Sequence, residues 1–265
     1  VTTHSGLKYL DPRSGARISV PSATLALWLL APWLDLSGWN AIAVGLFALV
    51  GLFFPASVTL LTFEANRRLG PNVSGAIGST TPLFAVIGAA LWLSEPLAGG
   101  ALAGTAMIVL GTVALARPRE GVGENRGRGA MGLAWAAAAL RALAHVLSKA
   151  GLALWPSPFA AALLGYTISS AVVWATPRGR EHRPYTRRGI AWFVASGLLN
   201  GIAVLALYSA LERGPVVLVS PIAATYPLFT LALSALWLRE ERLSAALVGG
   251  MALTVTGVIV LLLTR

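Results

Sequence analysis

From residue 189 to residue 211 the chain reads GIAWFVASGLLNGIAVLALYSAL, 23 residues without a charge. Few folds can accept such a run, because a helix rising about 1.5 Å per residue crosses the roughly 30 Å hydrocarbon core of a bilayer in about 20 apolar residues. Comparable runs recur along the sequence, and nine spans are expected at about 16–34, 39–63, 73–93, 97–116, 130–154, 158–175, 189–211, 216–238 and 243–263. Transmembrane β-strands would instead show segments of about ten residues alternating apolar with polar, a pattern this chain lacks. In lipid each backbone N–H and C=O must be satisfied within its own segment, so the expected fold class is all-α, a polytopic membrane helical bundle.

Composition agrees. Hydrophobic residues make up 56% of the 265 and charged residues 11%, against about 25% charged in a soluble domain. A net charge of +10 would suit nucleic acid, but the basic residues sit in short connectors, where they set topology and meet anionic headgroups. No nucleic-acid partner is therefore expected; the expected partners are the lipid bilayer and a small-molecule substrate. Sixteen lysines and arginines fall on one side of the bundle and two, Arg213 and Arg265, on the other. The positive-inside rule makes the first side cytoplasmic, so the C-terminus is expected outside a cell (plasma or inner) membrane. The opening residues lack the apolar core of a cleavable signal peptide. Without cysteine the chain has no disulfide or thiolate chemistry.

The sequence is also duplicated. PLFAVIGAALWLSE at 82–95 and PLFTLALSALWLRE at 227–240 match at eight of fourteen positions with a constant separation of 145, and Gly104 pairs with Gly249 at the same offset. Upstream, LGP at 69–71 faces RGP at 213–215, and HSGLKYLDP at 4–12 faces KAGLALWP at 149–156. The expected division is a first repeat at 1–116 (a stub plus four helices), a basic connector at 117–129, and a second repeat of five helices at 130–265. Most of the first repeat's first helix would precede Val1, giving ten helices in a complete unit. Five is odd, so the two copies must lie in opposite orientations across the membrane. Such inverted repeats characterise secondary transporters, whose substrate site forms near the midplane between the copies.

The doubled unit, with Gly70-Pro71, Pro82 and Leu91-Trp92-Leu93-x-Glu95 answered by Gly214-Pro215, Pro227 and Leu236-Trp237-Leu238-x-Glu240, resembles the EamA-type family of the drug/metabolite transporter superfamily. The resemblance covers nearly the whole chain. It implies a ten-helix bundle with a central cavity, commonly exporting small solutes, and is nearly silent about which solute.

Candidate site residues follow from what is expensive in lipid. Arg141 lies eleven residues inside one end of its expected span and thirteen inside the other. A charge there costs about 2.5–3.5 kcal/mol on insertion scales and should face protein or water. His145 and Lys149 follow at four-residue intervals, forming a stripe on one helix face. That stripe is expected to line the cavity and draw an anionic group, Arg141 holding it through two hydrogen bonds. The alternative is structural: Arg141 pairs with helix-end carbonyls or with Glu64 or Glu212, and Lys149 merely reaches the interface. Pro82 and Pro227 each remove a mid-span helix bond, and Pro221 adds a second break in SPIAATYP. Freed backbone there, with Tyr226, Thr225, Thr80 and Thr81, is expected to line the same cavity. Asn200 shares a face with Tyr208, its expected role being an interhelical hydrogen bond or a substrate contact. Gly100 with Gly104, and Gly197 with Gly201, have the spacing of close helix packing. Glu95 and Glu240 end their spans and are expected to be structural.

The expected function is therefore a secondary transporter exporting small, amino-acid-like or anionic metabolites by alternating access. A flippase for a phosphorylated lipid carrier is the alternative. An intramembrane enzyme is disfavoured, since the histidines at 4, 145 and 182 are scattered and no nucleophile sits beside a base. No metal site and no cofactor is expected.

Overall fold

The computed structural model describes residues 2–33, 37–69, 71–97, 99–114, 124–177, 184–226, 228–229 and 245–263. Pro227, Glu240 and most of the basic connector lie outside the described residues. Every regular element among the described residues is helical: α1 (Thr2–Gly6), α2 (Pro12–Leu30), a 3-10 turn (Ala31–Trp33), α3 (Ala41–Phe53), α4 (Ala56–Leu69), α5 (Pro71–Gly78) and α6 (Thr81–Trp92). There follow α7 (Gly99–Ala114), α8 (Glu124–Leu154), α9 (Pro158–Ala175), α10 (Arg187–Arg213), α11 (Val216–Ala223) and α12 (Ala245–Leu263). Four stretches are long and apolar enough to cross a membrane unaided: Ala41–Leu69, Gly129–Leu154, Pro158–Ala175 and Arg187–Arg213.

The helices start where short polar side chains can take orphan amides. Asp11 accepts from the Ser14 amide at 2.9 Å and Ser157 from that of Ala160 at 3.3 Å, each followed by a proline in the first turn. Asn40 takes the amides of Ile42 and Ala43, and Thr186 that of Gly189.

Two compact units emerge, and they cut across the sequence copies. One contains Thr2–Arg67 and Leu147–Gly214, the other Arg68–Val146 and Pro215–Arg265, so each is assembled from the corresponding part of both copies. In the first unit α2 packs on α10 and α9, and α3 on α9. Here glycine is a spacing device: a Cβ on Gly197 would overlap the Ser19 carbonyl oxygen, and one on Gly201 would meet the Ala23 methyl at 3.1 Å. The span expected at 39–63 divides at Phe54-Pro55 into α3 and α4. Proline cannot donate to the Gly51 carbonyl; the Ser169 hydroxyl donates to it instead at 2.6 Å and accepts the Ala56 amide at 3.1 Å. Basic residues here do more than set topology. Arg13 and Arg17 donate to the carbonyls of Pro177, Trp174 and Thr176 at the end of α9, and the Arg17 guanidinium lies over the Trp174 ring, where a cation also complements the helix dipole.

In the second unit α7 and α12 pack along their length. Gly104 and Gly257 are mutually close, a Cβ on either falling 2.8 Å from the other's carbonyl oxygen. The Thr254 amide and the Gly250 carbonyl oxygen would each lie 2.7 Å from a Cβ on Gly111. Gly249, the sequence counterpart of Gly104, has open space around its Cβ position.

Candidate functional site

The polar groups of the second unit gather at a helix break that occurs twice. The span expected at 73–93 is two helices, α5 ending at Gly78 and α6 beginning at Thr81, with Ser79-Thr80 turning between them. The counterpart, 145 residues on, is α11 ending at Ala223 with Ala224-Thr225 turning after it. The hydrogen bonds repeat as well. Thr80 donates to the Ile77 carbonyl from its amide (3.0 Å) and hydroxyl (2.6 Å); Thr225 donates to the Ile222 carbonyl from its amide (3.1 Å) and hydroxyl (2.8 Å). The Leu83 amide bonds the Thr80 carbonyl at 3.0 Å and the Leu228 amide the Thr225 carbonyl at 2.9 Å.

Pro82 is the cause in the first copy, though its place differs from expectation. It stands in the first turn of α6, where its missing amide costs nothing, and the chain breaks just before it rather than kinking around it. The Gly78 carbonyl that Pro82 cannot serve is taken by the Thr81 hydroxyl at 2.7 Å. The hydroxyls of Thr80, Thr81 and Thr225, expected to face the cavity, are thus committed to their own backbone. Pro221 makes no break of its own; it lies inside α11, and the helix ends two residues later.

The copies diverge where Thr81 is answered by Tyr226. The Tyr226 phenol reaches across to the first copy and donates to the Gly75 carbonyl at 3.0 Å, an oxygen that also accepts the Ser79 amide and hydroxyl, each at 2.9 Å. Gly78 leaves room for this: a Cβ there would stand 2.8 Å from the Tyr226 phenol oxygen and 3.5 Å from Nη1 of Arg141. The guanidinium of Arg141, on α8, therefore lies beside the break, next to a phenol and a side-chain-free helix surface. One turn along α8, His145 is buried, its Nδ1 3.1 Å from the hydroxyl oxygen of Ser220 on α11, while Nε2 is buried and has no hydrogen-bond partner among the described residues.

The other expected residues are placed elsewhere. Lys149 belongs to the first unit and donates to the Leu211 carbonyl near the end of α10 at 2.7 Å. Glu64, offered as a partner for Arg141, is engaged by Arg67 at 2.8 and 3.0 Å. Asn200 accepts from the buried Tyr166 hydroxyl of α9 at 2.6 Å, an interhelical bond of the kind expected, with a partner the sequence did not name. Glu95 binds the start of a neighbouring helix. Its two carboxylate oxygens accept the Val216 and Val217 amides at 2.9 and 3.0 Å, capping α11, whose own N-cap, Pro215, has no side-chain bond to offer. Sequence reasoning missed Ser220 and Gly75, although a signal was present, because the 145 offset maps one onto the other.

Comparison with known proteins agrees with this architecture. The profile of the EamA-like transporter family matches residues 3–117 and 128–263. A solved crystal structure with 21% sequence identity superposes with a TM-score of 0.79, covering 99% of this chain and 91% of that one, which shows the fold. No curated protein matches. Members of the matching family are membrane transporters rather than enzymes, and the family fold is an inverted repeat. With a profile match over nearly all its length and helices able to span a bilayer, the chain belongs to the EamA-like transporter family of the drug/metabolite transporter superfamily and is a multi-pass membrane protein.

Proposed function

We propose that this protein is a secondary carrier for small anionic metabolites, exporting them by alternating access, with the anion held by Arg141 at the paired helix breaks. The observation that carries the reading is the repetition of one helix break in both copies, with the bonds of Thr80 and Leu83 answered by those of Thr225 and Leu228 and a guanidinium beside it. Interrupted helices at corresponding positions of an inverted repeat are where carriers bind substrate, because a half-helix offers its positive N-terminal end to an anion. Arg141 adds a planar donor pair matched to carboxylate or phosphate. Tyr226 and the Pro82 turn line the site. His145 adjoins it. Lys149 and Asn200 have structural partners, and the site is drawn without them. The assignment of 1–116 and 130–265 as the two inverted copies, and of the C-terminus to the outside of the cell membrane, belongs to the same reading.

Counterflow in proteoliposomes, with labelled amino acids, organic acids and lipid-linked sugars, tests it. The expected result is saturable exchange of an anionic solute, abolished in Arg141→Gln and partly retained in Arg141→Lys. A folded Arg141→Gln protein that exchanges every transported anion with unchanged affinity would overturn the assignment. Exchange confined to lipid-linked sugars would establish the flippase reading instead.

A further inference from the structure

One ring nitrogen of His145 is buried and has no hydrogen-bond partner among the described residues. His145 is 3% exposed and Ser220 1%. Among the described residues the His145 Nδ1–Ser220 Oγ contact at 3.1 Å is the one hydrogen bond either side chain makes. Of the two neutral tautomers, one lets the Ser220 hydroxyl donate to Nδ1 and leaves only Nε2–H unpaired. The other has Nδ1–H donating to Ser220, which strands both the buried hydroxyl proton and the Nε2 lone pair. Buried polar groups are seldom left unpaired, so the first arrangement prevails. The serines at 22, 79 and 209 bond the carbonyl four residues back, and Ser220 makes no such bond, which leaves its proton available to the ring.

We infer that His145 is a fixed Nε2–H donor, and that with Arg141 one turn away it forms a two-point receptor for an anionic oxygen acceptor, a carboxylate or a phosphate. Both contacts then come from one face of α8, about one helical pitch apart. Neither α5, α6 nor α11 carries an acidic residue within its helix that could take the Nε2 proton in the ligand's place. Both side chains offer N–H donors, which an anionic group can accept from and a cationic solute cannot. This rests on the anion site proposed above and specifies its ligand chemistry, making His145 a specificity-determining residue. Ser220 is the positioning residue that fixes the tautomer.

Nitrogen-15 NMR of histidine-labelled protein in lipid tests it without need of transport. The three histidines give few signals, and that of His145 is assigned by its loss in His145→Gln. The expected result is an unprotonated Nδ1 and a protonated Nε2, with Nε2 shifting when acetate or inorganic phosphate is added and not when methylammonium is. The relative response to acetate and phosphate distinguishes the two anion classes. A protonated Nδ1 beside a bare Nε2 would overturn the tautomer, and no Nε2 response to either anion would overturn the receptor. In flux measurements His145→Gln, which keeps a donor, retains anion affinity within about threefold, whereas His145→Leu loses about tenfold, one hydrogen bond's worth. Equal loss in both variants, or none in either, would also refute the donor role. Anion-dependent shifts without any flux would refute the carrier reading while leaving the receptor intact.

Discussion

The contact between α2 and α10 gives a graded test of whether glycine is what allows these helices to meet. An alanine Cβ at position 197 would overlap the Ser19 carbonyl oxygen and stand 2.8 Å from the Ser19 carbonyl carbon and 2.9 Å from its Cα. Ordinary carbon contacts are about 3.5–4.0 Å, so the two backbones must separate by roughly 1 Å. No rotamer can relieve backbone meeting backbone, which places Gly197→Ala at the upper end of the usual overpacking cost, about 3 kcal/mol. At position 201 the nearest neighbour is the Ala23 methyl at 3.1 Å, with its Cα at 3.7 Å. A shift of a few tenths of an ångström suffices there, and the helix propensity gained by replacing glycine, about 1 kcal/mol, offsets most of it. Thermal unfolding in detergent, followed by tryptophan fluorescence, reads the difference. Gly201→Ala is expected within about 3 °C of the parent and Gly197→Ala lower by roughly 6–12 °C, taking about 2–4 °C per kcal/mol for a chain of this size. Equal midpoints for the two variants would show that the helices do not approach as closely as the structure has them.

The carboxylate cap on α11 is tested by a pair of substitutions: Glu95→Gln keeps one acceptor and should cost about 1 kcal/mol, whereas Glu95→Ala strands the Val216 and Val217 amides and should cost about 2–4 kcal/mol, read from the same unfolding curves. Gly78→Ala should displace the Tyr226 phenol from the Gly75 carbonyl and reduce anion transport at least tenfold while leaving the unfolding midpoint within a few degrees, the phenol being able to swing aside; transport at the parent rate would remove Tyr226 from the site. Asn200→Leu should cost only about 0.6 kcal/mol, the average for an interhelical side-chain bond in a membrane, so a large loss of flux with unchanged stability would restore Asn200 to the substrate path. A reporter enzyme active only outside the cytoplasm, fused after Arg265, should be active, and an inactive fusion would reverse the topology drawn from the basic connectors.

Much of the molecule was legible before any coordinate was known. Apolar runs of about 20 residues have one solution in lipid, the helix, and the 145-residue echo from Pro82 to Glu95 announced a doubled architecture. Arg141 could be singled out because a mid-span charge is expensive wherever the chain goes. What failed was inference along a single helix. Arg141, His145 and Lys149 share a stripe, yet α8 is long enough that its two ends serve different units, and Lys149 ends on the Leu211 carbonyl. Pro82 announced a break but not its position, since a proline is equally content to begin a helix as to kink one, and the Ser79-Thr80 turn decided between them.

The sequence by itself determined the solvent, the helical class, the duplication and the rare polar residues that had to be accounted for, because each is a matter of local composition or of transfer from water to lipid. Only the tertiary structure decided the partners. That Glu95 of one copy caps α11 of the other, that Ser220 meets the Nδ1 of His145, and that Tyr226 reaches Gly75 across 151 residues all depend on which helices lie side by side. A hydrogen bond forms only within about 3 Å, and no spacing along one chain reveals which distant carbonyl will come that near.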